Sequence, residues 1–286
     1  AFRDIIDREA FLPLLEKNAF GPVRAVLHMG ACSSTTEPDA DFLLRNNYGY
    51  SRELATCCAA RGIRLVYASS AATYGDGSAG YSDDPALIPR LRPLNKYGWS
   101  KQLFDRFMLR AGMPGGAVGL KFFNVFGPNE YHKGEMRTVL HKFFPAARAG
   151  RTIRLFRSHR PGIAHGEQAR DFVWIKDITA LVLWFLEHPE LAGIWNAGSG
   201  RAATFNELLG HLCRACGRKP KVRYVPMPRG LRDAYQYHTE ADLSRLRAAG
   251  YGKPFTELGA AVREYVQGYL LTPTPYLGER PRSGKS

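Results

Sequence analysis

The sequence predicts an α/β fold of the doubly wound type, a Rossmann-like parallel sheet with helices on both faces, joined by a smaller α/β lobe. Three observations predict it. Short apolar, β-branched runs at 23–28, 63–69 and 117–123 alternate with longer stretches whose apolar residues recur at helical spacing, and that alternation builds parallel sheets through helical crossovers. Each run ends in small or polar residues, at 30–33, 69–74 and 124–128, the edge where ligands gather in open α/β sheets. The chain has 286 residues, 45% of them hydrophobic, enough to bury one large core or two modest ones.

Taken in order, residues 4–18 place Ile5, Ile6, Phe11, Leu14 and Leu15 at helical spacing. A strand over 23–28 runs into Met29-Gly30-Ala31, a small-residue turn that lets backbone approach a ligand. A helix over 38–61, a strand over 63–69, a helix over 97–111 and a strand over 117–123 follow. Beyond Pro128 the alternation loosens: helix 134–149, strand 152–156, an arginine-rich loop 157–170, strand 171–175, helix 176–187 and a return to the sheet at 194–198. Helix 204–216, strand 221–225, a loop through Tyr235 and helices near 239–249 and 255–271 complete the pattern. Residues 272–286 are rich in proline, glycine and basic residues and predict a disordered tail. The expected division is a dinucleotide-binding domain over 1–128 with 171–198, and a substrate domain over 129–170 with 199–271. The strand, glycine-rich turn and helix that normally open a dinucleotide-binding sheet do not occur. The chain starts at Ala1 within a helical pattern, so the expectation is a sequence lacking its first βαβ unit, which alone binds cofactor poorly and is inactive.

Composition excludes several classes. No apolar run approaches the ~18 residues a membrane span needs, and the first residues carry acids rather than a signal core; a cytoplasmic protein without a membrane partner is expected. Five cysteines, an odd number with three in apparent core elements, suit reduced thiols. Cys213-x-x-Cys216 stands alone in a helical pattern, so no metal site is expected. The net charge of +14 would suit phosphorylated metabolites, anionic headgroups or nucleic acid. Arg148, Arg151, Arg154, Arg157, Arg160 and Arg170 crowd one region, but no nucleic-acid motif accompanies them, and a solvated basic face accounts for them.

The chemistry concentrates at Tyr97 and Lys101. On a helix they share one face, one turn apart. A free phenol, with a pKa near ~10, is a poor base at neutral pH, and a neighbouring cation favours the phenolate. Ser70, at the end of the preceding strand, would complete a proton-handling trio. The spacing is also common on ordinary amphipathic helices, so the pair by itself fits a catalytic or a plain helical role.

The wider motifs favour the first. Tyr-Ala-Ser-Ser-Ala-Ala-Thr-Tyr-Gly (67–75), Tyr-Gly-Trp-Ser-Lys (97–101) and Phe-Asn-Val-Phe-Gly-Pro (123–128) together resemble the extended short-chain dehydrogenase/reductase superfamily of nucleotide-sugar enzymes. Within it, His-Met-Gly-Ala-Cys-Ser-Ser-Thr-Thr-Glu (28–37), Asn-Glu-Tyr-His-Lys-Gly (129–134), Arg-Asp-Phe-Val (170–173), Asn-Ala-Gly-Ser-Gly-Arg-Ala (196–202) and Leu-Arg-Ala-Ala-Gly-Tyr (246–251) resemble the ADP-glyceromanno-heptose 6-epimerase family. The likeness runs to about Leu270. It implies NADP-dependent oxidation of the heptose C6 to a ketone and re-reduction on the opposite face, in the supply of lipopolysaccharide core precursors. It assigns Tyr97 as one acid/base and Lys133 as the second, Ser70 to the reacting oxygen, and Lys101 to the nicotinamide ribose and to keeping the Tyr97 phenol acidic. Cofactor contacts would be Met29, Gly30, Ala31, Cys32, Ser33, Asn46, Lys101, Val125 and Lys133. Substrate contacts would be Ser70, Asn124, Glu135, Lys142, Phe156, Arg157, Ser158, His159, Arg170 and Tyr235. The family also implies a homo-oligomer. Bland readings stand beside several of these: core packing for Phe156, an exposed ion pair for Arg170, an ordinary helix position for Asn46, a surface lysine for Lys133 and a cap for Ser70. Glu135 and Lys142 stand where family members carry other polar residues, a serine and a histidine among them, and the loop between Ser158 and Arg170 is longer than usual. The rival functions are another NAD(P)-dependent nucleotide-sugar epimerase or dehydratase, and a non-catalytic basic binding module.

Overall fold

The computed structural model describes residues 4–232, 235–273 and 276. In chain order, α1 (Arg8–Glu16) leads to β1 (Ala25–His28). Helix α2 (Ala40–Leu43) runs through a π-helical turn, Leu44–Gly49, into α3 (Tyr50–Ala60), followed by β2 (Arg64–Ser70), α4 (Lys96–Arg110), β3 (Val118–Phe122) and β4 (Asn124–Phe126). The second half holds α5 (Val139–Arg148), β5 (Ile153–Phe156), β6 (Ala169–Trp174), α6 (Ile175–Glu187), β7 (Gly193–Ala197) and β8 (Ala202–Thr204). Then come α7 (Phe205–Ala215), β9 (Val222–Val225), α8 (Arg229–Arg232), α9 (Ser244–Ala248) and α10 (Leu258–Tyr265).

The central sheet has the order β1-β2-β3-β7, and every neighbouring pair is parallel. Side chains alternate between its faces. Leu65 and Tyr67 enter a core shared with Leu54 of α3 and Phe104 and Met108 of α4. Val66, Val118 and Leu120 enter the opposite core with Leu181 and Phe185 of α6. Helices therefore cover both faces, which is why these strands read as continuous apolar runs rather than alternating ones. The doubly wound expectation holds.

The strand expected at 171–175 does not join that sheet. As β6 it pairs with β4 in parallel and β8 antiparallel. It sits between two cores: Val173 packs with α6, while Phe172 and Trp174 face a third core built from α5, α7 and α10. In this third region β5 and β9 form a parallel ribbon, with Arg154 beside Arg223 and Phe156 beside Val225. The helix expected from 134 begins only at Val139, because Tyr131–Met136 winds as a tight 3-10 turn with Gly134 at φ 52°. The helix expected at 239–249 contracts to Ser244–Ala248. Of the predicted tail, Thr272, Pro273 and Tyr276 are described and the rest lies outside the described residues. Among the described residues, no helix is long and apolar enough to cross a membrane.

Candidate active site

The carboxyl ends of β1, β2 and β3 open onto a cavity of about 940 Å³ whose other wall comes from the turn after β4, the start of α7 and the segment at Tyr235. A cavity of this size at a sheet's carboxyl edge suits a cofactor and substrate together.

Helix α4 delivers the central pair. Asn95 caps it, its side chain accepting from the Gly98 amide at 2.8 Å. Gly98 then allows a close approach: a Cβ there would stand 2.9 Å from the Ala72 carbonyl oxygen and 2.8 Å from Pro93. The first turn of α4 thus lies directly against the turn Ala71–Tyr74 that follows Ser70. Tyr97 and Lys101 are buried, at 9% and 5% exposure, and both line the cavity with Ser70. Ser70 does cap its turn, accepting from the Ala72 amide at 3.1 Å, and its influence on the Tyr97 phenol favours the phenolate.

The electrostatics differ from the simple sequence argument. Burial pushes the Tyr97 phenol up, and the opposing influence comes from Ser70 rather than from the Lys101 charge. Lys101 is turned to the sheet, donating to the Ala68 carbonyl at 2.8 Å. Burial brings its ammonium down to about 8, with the Asp105 carboxylate working the other way. An ammonium carries three donors, and only one is spent on Ala68, so a cavity-lining lysine retains capacity for ribose hydroxyls.

Met29, Gly30, Ala31, Cys32 and Ser33 also line the cavity. Nothing lies within 4 Å of where a Gly30 Cβ would stand, so this turn offers bare backbone to a ligand and fits a bound dinucleotide. Its conformation is set by Asn47, which sequence reasoning missed. Asn47 accepts from the Cys32 amide at 2.9 Å, and its own amide group donates to the Cys32 carbonyl and to Ser100 at 3.0 Å each. The neighbouring Asn46, chosen from the sequence, instead donates to the Asn47 side chain at 2.9 Å and is not part of the wall.

From the second lobe Lys133 and Tyr235 reach the cavity, and Asn124 and Val125 reach it from β4. Lys133 rides on the 3-10 turn, which is pinned by buried Glu130: its carboxylate accepts from the Thr138 amide at 2.6 Å and hydroxyl at 2.8 Å, and its carbonyl from the Lys133 amide at 3.0 Å. Arg170 is 8% exposed and is no surface ion pair. Its guanidinium lies 4.9 Å from the Tyr235 ring and 5.9 Å from the Phe205 ring, behind two aromatic groups that line the wall. The remaining candidates stay outside the wall. Glu135 and Lys142 pair with each other at 3.2 Å on the surface, and Phe156 is exposed on the outside of the β5–β9 ribbon rather than in a core. Arg157 and Ser158 follow it, and the His159 amide donates to the Tyr237 hydroxyl at 3.0 Å. Phe205, His132 and Gln236 line the cavity without having been anticipated. Gln236 is tied to the Gly75 carbonyl at 2.7 Å, a contact across 161 residues that no local pattern announces.

Comparison with known proteins identifies the family. Residues 3–198 match the model of the NAD dependent epimerase/dehydratase family. An ADP-L-glycero-D-manno-heptose-6-epimerase of Nitratidesulfovibrio vulgaris is 49% identical over 275 residues, covering 96% of this chain and 85% of that protein. The enzyme of the same name from Fusobacterium nucleatum is 43% identical, over 89% and 80%. The crystal structure of the Helicobacter pylori ADP-L-glycero-D-manno-heptose-6-epimerase superposes with a TM-score of 0.78 at 26% identity, covering 92% of this chain and 77% of that one. At the level of fold alone, a Thermus thermophilus UDP-glucose 4-epimerase complexed with NAD gives 0.71 at 24% identity, over 90% and 80%. The chain therefore belongs to the NAD dependent epimerase/dehydratase family of nicotinamide-cofactor enzymes, in the branch of the ADP-L-glycero-D-manno-heptose-6-epimerases.

Proposed function

We propose that this protein inverts C6 of an ADP-linked glycero-manno-heptose, with NADP as the cofactor. The observation that carries the reading is the meeting of Ser70, Tyr97 and Lys101 with Lys133 around one cavity, in a chain 49% identical to an epimerase of that name. When bound, the nicotinamide supplies reversible hydride exchange with the sugar carbon. The chain's own residues hold and move protons. Tyr97 Oη takes the hydroxyl proton as C6 becomes a carbonyl, and Ser70 Oγ hydrogen-bonds the oxygens involved. Lys133 Nζ, brought in on the second lobe, returns a proton to the carbonyl oxygen when it has presented its other face. Lys101 holds the cofactor ribose, and the bare backbone at Gly30 accommodates the dinucleotide. Arg170, behind Tyr235 and Phe205, steadies these two aromatic rings of the substrate wall.

The test is to incubate the purified protein, in the longest form its gene encodes, and NADP with either C6 epimer of ADP-heptose and follow the anomeric signals by NMR. Both epimers should converge on one mixture without net cofactor consumption. Tyr97→Phe and Lys133→Met should each lower kcat by about 10²-fold or more. Turnover of UDP-hexoses with none of ADP-heptose would transfer the protein to another nucleotide-sugar activity, and a higher affinity for NAD than for NADP would overturn the cofactor choice.

A further inference from the structure

Behind the proton-handling groups lies an ion pair that neither touches the cavity nor is needed to close a loop. Asp105 and Lys121 meet at 2.6 Å with no exposed side-chain surface on either. Asp105 is one further turn along the α4 face that carries Tyr97 and Lys101, so the three side chains stand in a row at intervals of four residues. Its two oxygens take the Tyr67 hydroxyl at 3.1 Å and the Ser69 hydroxyl at 2.6 Å, both from β2. Between these two residues is Ala68, whose carbonyl receives Lys101. Lys121, from β3, donates onward to the Thr73 hydroxyl at 2.7 Å, and Thr73 donates to the Ser70 carbonyl at 2.8 Å. Gly119 makes room for the arrangement, since a Cβ there would stand 2.4 Å from the Tyr67 hydroxyl.

We infer that the Asp105–Lys121 pair positions the acid/base centre: through Ser69 on one side and Thr73 on the other it fixes the backbone around Ser70, and its carboxylate backs Lys101 from the next turn of α4. A buried ion pair is a poor device for stability alone, because desolvation offsets much of its attraction and an apolar pair of similar volume would serve. A fully partnered network does hold a unique geometry, and here the hydroxyl partners of the pair, Tyr67, Ser69 and Thr73, all sit within three residues of Ser70. The carboxylate also acts through its field, favouring the charged form of Lys101 and disfavouring the phenolate of Tyr97. The other titratable groups facing this centre are His28 from β1, Cys32 after it, Tyr67 from β2 and Tyr74 after β2. None of them supplies a second carboxylate at Lys101.

The inference rests on the acid/base assignment proposed above, and the experiment separates the two. Asp105→Asn keeps the shape and removes the charge. In the NADP-loaded holoenzyme it should lower kcat about 10- to 100-fold with KM within about two-fold. Both limbs of the kcat profile should move to lower pH, since losing the carboxylate lets Tyr97 ionise more readily and Lys101 lose its proton earlier. Thr73→Val breaks the link to Ser70 without a change of charge and should lower kcat about five-fold with an unmoved pH profile. Tyrosine labelled at ¹³Cζ reports the Tyr97 titration independently of turnover, with Tyr97→Phe identifying the signal, and Asp105→Asn should shift that titration downward. A folded Asp105→Asn protein with wild-type kcat, pH limbs and Tyr97 titration overturns the inference. So does activity lost only in proportion to folded protein with the limbs in place. If Asp105→Asn does not fold, Thr73→Val decides alone: wild-type kcat in that variant overturns the inference. A fully active Tyr97→Phe would instead sink the acid/base assignment itself.

Discussion

At the scale of single side chains, the site is a group of ionisable residues whose titration is moved by burial away from its ordinary range. His28 is the clearest case for measurement. It is hydrogen-bonded to Ser51 at 2.8 Å, and burial, then the Lys101 and Arg8 charges, bring its imidazolium down to about 4. In the unfolded chain histidine titrates near ~6.5, so between those values the unfolded state binds more protons and stability rises with pH. The contribution is fully present above the unfolded value and is lost as pH falls towards 4. His28→Gln should therefore flatten urea-unfolding free energies across pH 4–6.5, a span worth on the order of 3 kcal/mol in the wild type. An equally steep acid loss in the variant would assign the sensitivity to other groups. Lys101 slopes in the same direction at higher pH, its cost being relieved as pH rises from about 8 towards the ordinary lysine value. Tyr97, Lys101 and Ser70 were legible in the sequence because their relation depends on helical spacing and on where a strand ends. Asp105 and Asn47 were not. Their importance lies in which β2 or turn atoms they face, and that is set by strand register and helix docking rather than by neighbours in the chain.

Among the elements, the strands of the central sheet could be read because burial on both faces leaves uninterrupted apolar runs. The short pieces could not. β4 and β8 have three residues each, too few to show a period, and both exist through their pairing with β6. The Tyr131–Met136 turn had the composition of a helix start, but Gly134 at positive φ and the Glu130 clasp break it off from α5. The docking of α4 onto the Ser70 turn is a close contact between elements that sets the site, and Gly98→Ala probes it. The added methyl would be within 3 Å of both Pro93 and the Ala72 carbonyl. It should cost about 1–3 kcal/mol in unfolding free energy, as overpacking generally does, and should lower kcat more than ten-fold by moving Tyr97 away from Ser70. Unchanged kcat with a lowered melting temperature would mean that the two elements can separate without consequence for the chemistry. Replacing Glu130 with alanine frees the Lys133 turn at its other end. That variant should raise KM and lower kcat together, because Lys133 loses its placement while Tyr97 keeps its own; steady-state kinetics against the wild type will show whether both move.

Over the whole molecule, charge is distributed with an unevenness that composition alone hides. Residues 136–166 contain seven lysines and arginines and no acid, and residues 208–232 contain seven more and again no acid, so the rest of the chain is electrically balanced and these two segments carry the entire +14. The fold brings them together through the β5–β9 ribbon, where Arg154 stands beside Arg223. Nearby, the Arg218 side chain lies over Gly150, its Cδ 3.8 Å from where a Cβ would stand on that glycine. Arg148, Arg151, Arg154, Arg218 and Arg223 are exposed, and none of them forms an ion pair among the described residues. None lines the cavity either. A one-signed region of this kind raises the local concentration of anions and accelerates their arrival, and a nucleoside-diphosphate sugar carries about two negative charges at its diphosphate. With a Debye length of ~8 Å at physiological salt, the influence on a substrate in the cavity should be moderate there and larger at low salt. Changing Arg148, Arg151, Arg218 and Arg223 together to glutamine should then raise KM a few-fold at about 10 mM salt and hardly at about 500 mM, with kcat within two-fold throughout. The plot of log kcat/KM against log salt should be flatter for the variant. Parallel plots for the two proteins would mean that the basic lobe does not act on the substrate and that its charge is only a solvated surface.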